Sequence, residues 1–227
     1  MSIPGRRTIL AALSIVLAAT VAGAWLLTPA PAPGSSAENG KAAQAPSIGG
    51  PFSLVDQTGK PVTDKDFRGR FMLVFFGYTY CPDVCPTDLQ IISQAMDALG
   101  AAGEIVQPIF ITVDPERDTP EVMADYVGNF HPRLLGLTGT RDQVATAAKA
   151  YRVYFSKFYP PPESLSGETT AGGVTVGEDE DNSEYFMNHS AITYLMGPDG
   201  RFREFFSHGT SPDEMAGEIR RHINGQT

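Results

Sequence analysis

Apolar positions along this chain change rhythm several times, and each rhythm predicts a different structure. From Thr8 to Leu27 they run without a charge, about 20 residues that as a helix would reach across the hydrocarbon core of a bilayer. Residues 28–47, "TPAPAPGSSAENGKAAQAPS", show no period and are dominated by Pro, Ala, Gly and Ser, as in an extended linker that buries nothing. From Ile48 strand-like and helix-like patterns alternate. "FSLVDQTGKPV" reads as two short strands about a Gln57-Thr58-Gly59 turn, and "FMLVFFGYTY" as a continuously apolar, buried strand. Leu89, Ile92, Met96 and Leu99 then recur at helical spacing up to Gly100, with Pro86 suited to the first turn.

"IVQPIFITV" gives a second buried strand, and "DTPEVMADYVGNF" a helix with Thr119 as N-cap and Pro120 at its first position. Thr140 with Gln143 spells a capping box for a helix holding Val144, Ala148 and Tyr151; Ser211 with Glu214 spells another for the last helix. Between Tyr159 and Tyr185 the pattern fails and ends in an acidic cluster, Glu178 to Glu184, which predicts a long surface loop with a solvated acidic face. "HSAITYLMGPDGRFREFF" then gives two strands joined by a Pro198-Asp199-Gly200 turn. Alternating strands and helices predict an α/β layered domain over residues 48–227.

Composition adds topology. With 227 residues and 42% apolar content, the chain suits one domain plus appendages. Arg6 and Arg7 precede the long apolar run, so the positive-inside rule keeps them in the cytoplasm and sends everything after Trp25 across the membrane. The run is longer than a signal-peptide core, and Ala30-Pro31-Ala32 is a poor cleavage site, so residues 1–27 are expected to remain as a single transmembrane anchor. A bacterial inner membrane with the head in the periplasm suits that arrangement. The formal charge is −9; leaving out Arg6 and Arg7, the exported part holds 15 Lys and Arg against 26 Asp and Glu, a balance of −11. That sign excludes nucleic acid as a natural partner.

The two cysteines, Cys81 and Cys85, both lie in "YTYCPDVCPTDL", on the turn from buried strand to helix. Free N–H groups and the dipole at a helix N-terminus stabilise thiolates, so these thiols are expected to be reactive. Residues four apart are neighbours on a helical turn, and two convergent thiolates are soft ligands suited to Cu(I), or to Zn(II) if further ligands join. A structural disulfide is the plainer alternative in an oxidising compartment, but so small a loop gains little stability from closure. Of the four histidines, His131 in "NFHPR" reads as a helix C-cap, and His208 and His222 read as surface residues. His189 ends the long loop and opens the strand of the last hairpin. Asp114, Arg117 and Asp118 in "DPERDT" read as a helix-entry turn with internal charge pairing rather than a catalytic set.

The segments "FGYTYCPDVCPTDL", "VDPERDTPEVMADYV", "GLTGTRDQV", "AYRVYFSK" and "FMNHSAITYLMGPDGRF", in that order, resemble the Sco/SenC family of membrane-anchored, thioredoxin-like copper proteins over Ile48 to His222. The resemblance implies a thioredoxin-like fold with an N-terminal hairpin extension, in which His189 faces the cysteine turn. It also implies a copper site made by Cys81, Cys85 and His189, and delivery of copper to the binuclear copper centre of cytochrome c oxidase subunit II. The implied partners are that subunit, an upstream copper donor and a periplasmic thiol reductant. The alternative implied role is a membrane-tethered thiol-disulfide oxidoreductase that reduces the cysteines of that centre with Cys81 and Cys85. Asn188 departs from the family pattern, which commonly has Asp before the histidine. "MNHSA" lacks the proline that thioredoxin relatives place before this strand, which counts against a general reductase. A peroxiredoxin-type peroxidase shares the fold, but paired thiols one helical turn apart disfavour it.

Overall fold

The structure is a computed structural model that describes residues 47–160 and 185–225. The expected anchor, all but the last residue of the linker, and the acidic cluster lie outside the described residues. No helix among the described residues is long and apolar enough to cross a membrane.

Strand β1 (Ser53–Asp56) and strand β2 (Pro61–Thr63) form the expected antiparallel hairpin. Asp56 Oδ1 closes its turn by accepting the N–H groups of Thr58 and Lys60, and Gly59 takes the positive φ of 81° that the turn requires. Strand β3 (Phe71–Gly77) is buried at every residue, because a strand covered on both faces has no use for alternation. It pairs in parallel with β4 (Val106–Thr112), and β4 pairs in parallel with β5 (Leu135–Thr138). Antiparallel β8 (Ile192–Met196) lies on the other side of β3, with β9 (Phe202–Ser207) outside it. The seven-stranded order is β2-β1-β5-β4-β3-β8-β9, which puts the N-terminal hairpin at one edge.

Helix α1 (Val84–Leu99) connects β3 to β4, buries Leu89, Ile92, Met96 and Leu99, and stops at Gly100. Helix α2 (Pro120–Val127) starts at Thr119, whose side chain accepts the Val122 N–H. Helix α3 (Arg141–Tyr151) carries the complete Thr140–Gln143 capping box. Helix α4 (Pro212–Ile223) has the forward bond only, Ser211 accepting from the Glu214 N–H. Phe75, Phe76 and Phe110 are fully buried in the core, each contributing roughly 1.5–3 kcal/mol relative to an exposed ring.

Two features depart from the sequence pattern. Strand β5 went without a signal, since it has only four residues, one of them Gly136, where a Cβ would stand 3.0 Å from Val127. Residues 161–184, outside the described residues, are flanked by a separate two-stranded sheet, β6 (Phe155–Phe158) with β7 (Phe186–His189), registered Phe155 to His189. His189 therefore closes β7 and does not open the last hairpin; Ser190 and Ala191 intervene before β8. The break has a physical cause: Ser190 N–H donates to the Tyr154 carbonyl and Tyr154 N–H to Ser190 Oγ, which turns the chain toward β6.

Candidate metal centre

The site sits at the carboxyl ends of β3 and β4, where open α/β sheets usually place ligands. β3 ends at Gly77 because the next layer needs the space: a Cβ there would lie 2.8 Å from Cys85 Sγ and 2.9 Å from the Phe110 ring. Cys85, in the first turn of α1, is fully buried against it, and Cys81 is half-buried in the preceding turn. The N-cap residue of α1, Asp83, makes no side-chain cap bond. Cys81 sulfur supplies the acceptor instead, taking the Cys85 N–H at 3.4 Å. The helix end is thus capped by a sulfur, the placement that favours a thiolate.

Interactions split the two thiols. Cys81 is held well below the ordinary thiol range by the Cys85 side chain, then by His189 and the N–H groups of Cys85 and Asp83, all against the opposing effect of burial. Cys85 is pushed up by its bond to Cys81 and by burial. Of the two thiols, Cys81 is thus the more acidic and Cys85 the less. Tyr78, beside the pair, is pushed up to about 12 by burial, with the Met187 backbone opposing.

His189 enters from β7. Its Nε2 stands 3.3 Å from Cys85 Sγ, and its Nδ1 lies 3.2 Å from the Ser190 carbonyl oxygen. A carbonyl only accepts, so Nδ1 carries a proton, and Nε2 is the ring nitrogen that faces the sulfurs. Phe75 and Tyr78 meet the imidazole edge-on, at centroid distances of 6.2 and 5.9 Å. One ligand atom from each of Cys81, Cys85 and His189 falls within 4.8 Å of the others, a group that could hold a metal ion. Two sulfurs and one imidazole form a soft donor set, which suits copper.

Other residues fall elsewhere. His131 is not a C-cap: α2 is capped by Gly128, and His131 Nδ1 accepts the Arg133 N–H while its own N–H donates to Ser93 Oγ. His222 lies in the last turn of α4. His208 does more than the surface role expected of it, because its Nδ1 lies 2.9 Å from Oδ1 of buried Asp88, one turn beyond Cys85. Burial raises the Asp88 carboxyl, with the His208 bond opposing. Asp88 was the missed signal, a carboxylate on the inward side of an amphipathic helix. The "DPERDT" turn pairs internally as expected, Arg117 Nε donating to Asp114. Asp118 accepts the N–H and Oγ1–H of Thr79 at 3.1 and 2.6 Å and so holds the cysteine turn.

The SCO1/SenC family model matches residues 40–224 of the sequence. The chain belongs to the SCO1/SenC family. It is 43% identical over 180 residues to the human protein SCO1 homolog, mitochondrial, covering 78% of this chain and 54% of that one. The bovine SCO2 homolog, mitochondrial, is 39% identical over 224 residues, or 97% of this chain and 77% of that one. The chain thus spans about half the length of the human relative. Among solved structures, Bradyrhizobium japonicum ScoI with copper bound is 43% identical, with a TM-score of 0.63 over 77% of this chain and 99% of that one. Yeast Sco1 with copper bound is 38% identical, with a TM-score of 0.63 over 79% of this chain and 90% of that one. The fold is the thioredoxin-like Sco fold, and its relatives have been solved with copper in place.

Proposed function

We propose that the chain is a copper carrier of cytochrome c oxidase assembly, with Cys81, Cys85 and His189 as the ligands and the binuclear copper centre of subunit II as the recipient. The convergence of the three ligand atoms within 4.8 Å carries this reading. Copper is the cargo, so the site must hold and release it. Cys85 is fully buried at the floor, whereas Cys81 and His189 are only partly covered, so an incoming thiolate replaces the outer ligands first and Cys85 last. Loading needs both thiols reduced, because a Cys81–Cys85 disulfide has no thiolate to offer. Redox state therefore gates the site. Residues 1–27 tether the head to a bacterial inner membrane, residues 28–47 give it reach, and residues 48–227 form the periplasmic head, supplied by an upstream copper donor and kept reduced by a thiol reductant.

The depressed Cys81 thiol supports a second reading, thiol-disulfide exchange with the recipient. Cys81 thiolate attacks a partner disulfide and forms a mixed disulfide, and Cys85, losing its proton, displaces the second partner thiol. The partner gains two electrons, one proton from Cys85 and one from solvent as the Cys81–Cys85 bond forms. Competition against a Cu(I) chelator by the reduced full-length protein tests the first reading: one copper per chain is expected, lost in Cys81→Ser and in Cys85→Ser. Undiminished copper in the double Ser variant would overturn it.

A further inference from the structure

Strand β7 reaches the cysteine turn without belonging to the seven-stranded sheet, and its ladder partner β6 is equally outside that sheet. The main sheet does not pair with β7, so the ladder to β6 and the side chains packed on the approach to β7 help to fix where His189 points. The DPER turn holds both strands of the ribbon. Glu116 takes Lys157 of β6 at 2.9 Å, a partly exposed pair that contributes little. Arg117 takes the approach to β7: its Nη1 donates to the Tyr185 carbonyl at 2.9 Å, and the Tyr185 hydroxyl donates to Asp114 Oδ1 at 2.8 Å.

The same guanidinium lies between aromatic rings from two segments. Its carbon is 3.7 Å from the centroid of Tyr185, 4.8 Å from Tyr80 and 5.8 Å from Tyr78. Tyr78 and Tyr80 belong to the cysteine turn, and Tyr185 leads into β7. Nη2 is buried with no hydrogen-bond partner among the described residues. A cation with one nitrogen left unpaired is tolerated where aromatic faces supply the compensation. Behind the clamp, the Tyr78 ring meets His189 edge-on.

We propose that Arg117 is a positioning residue for the metal centre: by clamping Tyr185 against Tyr78 and Tyr80, it sets β7 so that His189 Nε2 faces the two sulfurs. This rests on the reading of Cys81, Cys85 and His189 as copper ligands. Arg117 touches none of the three in the role proposed; it acts through the strand.

The test compares Arg117→Ala and Arg117→Lys with His189→Ala and with Arg117→Ala/His189→Ala, all in the full-length protein. Without metal, amide exchange across Phe186 to His189 should rise about tenfold in Arg117→Ala while β3 and β4 stay protected. With Cu(II), Arg117→Ala should weaken binding about 10–100-fold, the range for groups that orient a ligand, and should shift the thiolate charge-transfer spectrum toward that of His189→Ala. The double variant should bind no more weakly than His189→Ala alone, because the two residues act as one unit. Arg117→Lys keeps the charge but loses the fork and should fall between, and it serves as the test variant if Arg117→Ala does not fold. Additive losses with an unchanged spectrum and unchanged β7 exchange would overturn the proposal. If wild type and Cys81→Ser bind copper equally, the ligand reading is wrong, and β7 exchange alone then decides whether Arg117 is a latch.

Discussion

Nε2 of His189 stands 3.3 Å from Sγ of Cys85 although 104 positions separate the two residues in the chain. The imidazole takes no necessary part in exchange at the thiols, whose rates depend on thiolate attack and the leaving sulfur. His189→Ala should therefore lower Cu(II) affinity by about a hundredfold or more, beyond the usual cost of removing a ligand's supporting partner. Its dithiol should oxidise and reduce at nearly the wild-type rate. Cells carrying it at limiting copper should assemble too little oxidase. Full oxidase assembly by His189→Ala, with none by Cys81→Ser, would move the function to thiol reduction.

The unequal thiols give a reactivity prediction with a definite sign. Cys81 lies below the ordinary thiol range chiefly through the Cys85 side chain, so alkylation at Cys81 should persist as pH falls below the usual thiol titration, while Cys85 stays protected. Cys85→Ser removes the first of those causes and should move the midpoint of Cys81 alkylation upward. Mass spectrometry after brief labelling across a pH series reads both sites. Equal labelling of the two cysteines at acidic pH would contradict the assignment.

Gly77 marks where packing and chemistry share one space. A methyl added there meets Cys85 Sγ at 2.8 Å and the Phe110 ring at 2.9 Å, so something must move. Gly77→Ala should cost about 1–3 kcal/mol by overpacking and weaken copper binding together with stability. Gly217, inside α4, has nothing within 4 Å of an added Cβ, and Gly217→Ala should stabilise by about 0.5–1 kcal/mol with binding unchanged. Denaturant midpoints and copper competition on both variants check the contrast.

What the sequence showed of this fold follows from how local each signal is. β3 is an apolar run of seven residues, β4 is built around the apolar stretch Ile109 to Ile111, and Thr119 and Thr140 cap by bonds to residues three positions on, so a short window contains the whole cause. The cysteine turn is local as well. β5 and the β6–β7 ribbon are four-residue strands whose pairing partners lie elsewhere in the chain, and no window contains that cause. The position of His189 opposite the cysteines came from resemblance, and the sequence pattern alone put it in the wrong strand. The partners of His208 and Arg117 are tertiary too: Asp88 lies 120 positions from His208, and Tyr185 lies 68 from Arg117.

The apolar run Thr8 to Leu27 is expected to stay on the protein. N-terminal sequencing of protein extracted from membranes should read through Arg6 and Arg7. A mature chain beginning near Pro31 or Pro33 would replace the anchor with a cleaved leader and leave the exported location intact.

Asp118 is fully buried and gathers three donors: Thr79 N–H at 3.1 Å, Thr79 Oγ1 at 2.6 Å and Thr112 Oγ1 at 2.5 Å. These bonds tie the cysteine turn to β4, yet burial outweighs them and raises the carboxyl above its ordinary value. An acid whose folded pKa is raised binds its proton more tightly in the folded state, so this group's contribution falls as pH climbs from the ordinary Asp value through the folded one. Asp118→Ala leaves the donors without an acceptor and should cost about 2–4 kcal/mol at neutral pH. Asp118→Asn can accept with Oδ1 and donate to the Thr79 hydroxyl, so it should cost less than about 1 kcal/mol and should flatten the pH dependence. Urea unfolding of wild type and both variants between the two pH limits measures each quantity. An Asn variant as unstable as the Ala variant would mean that the negative charge holds the turn, and that the carboxyl is ionised in the folded protein at every pH tested.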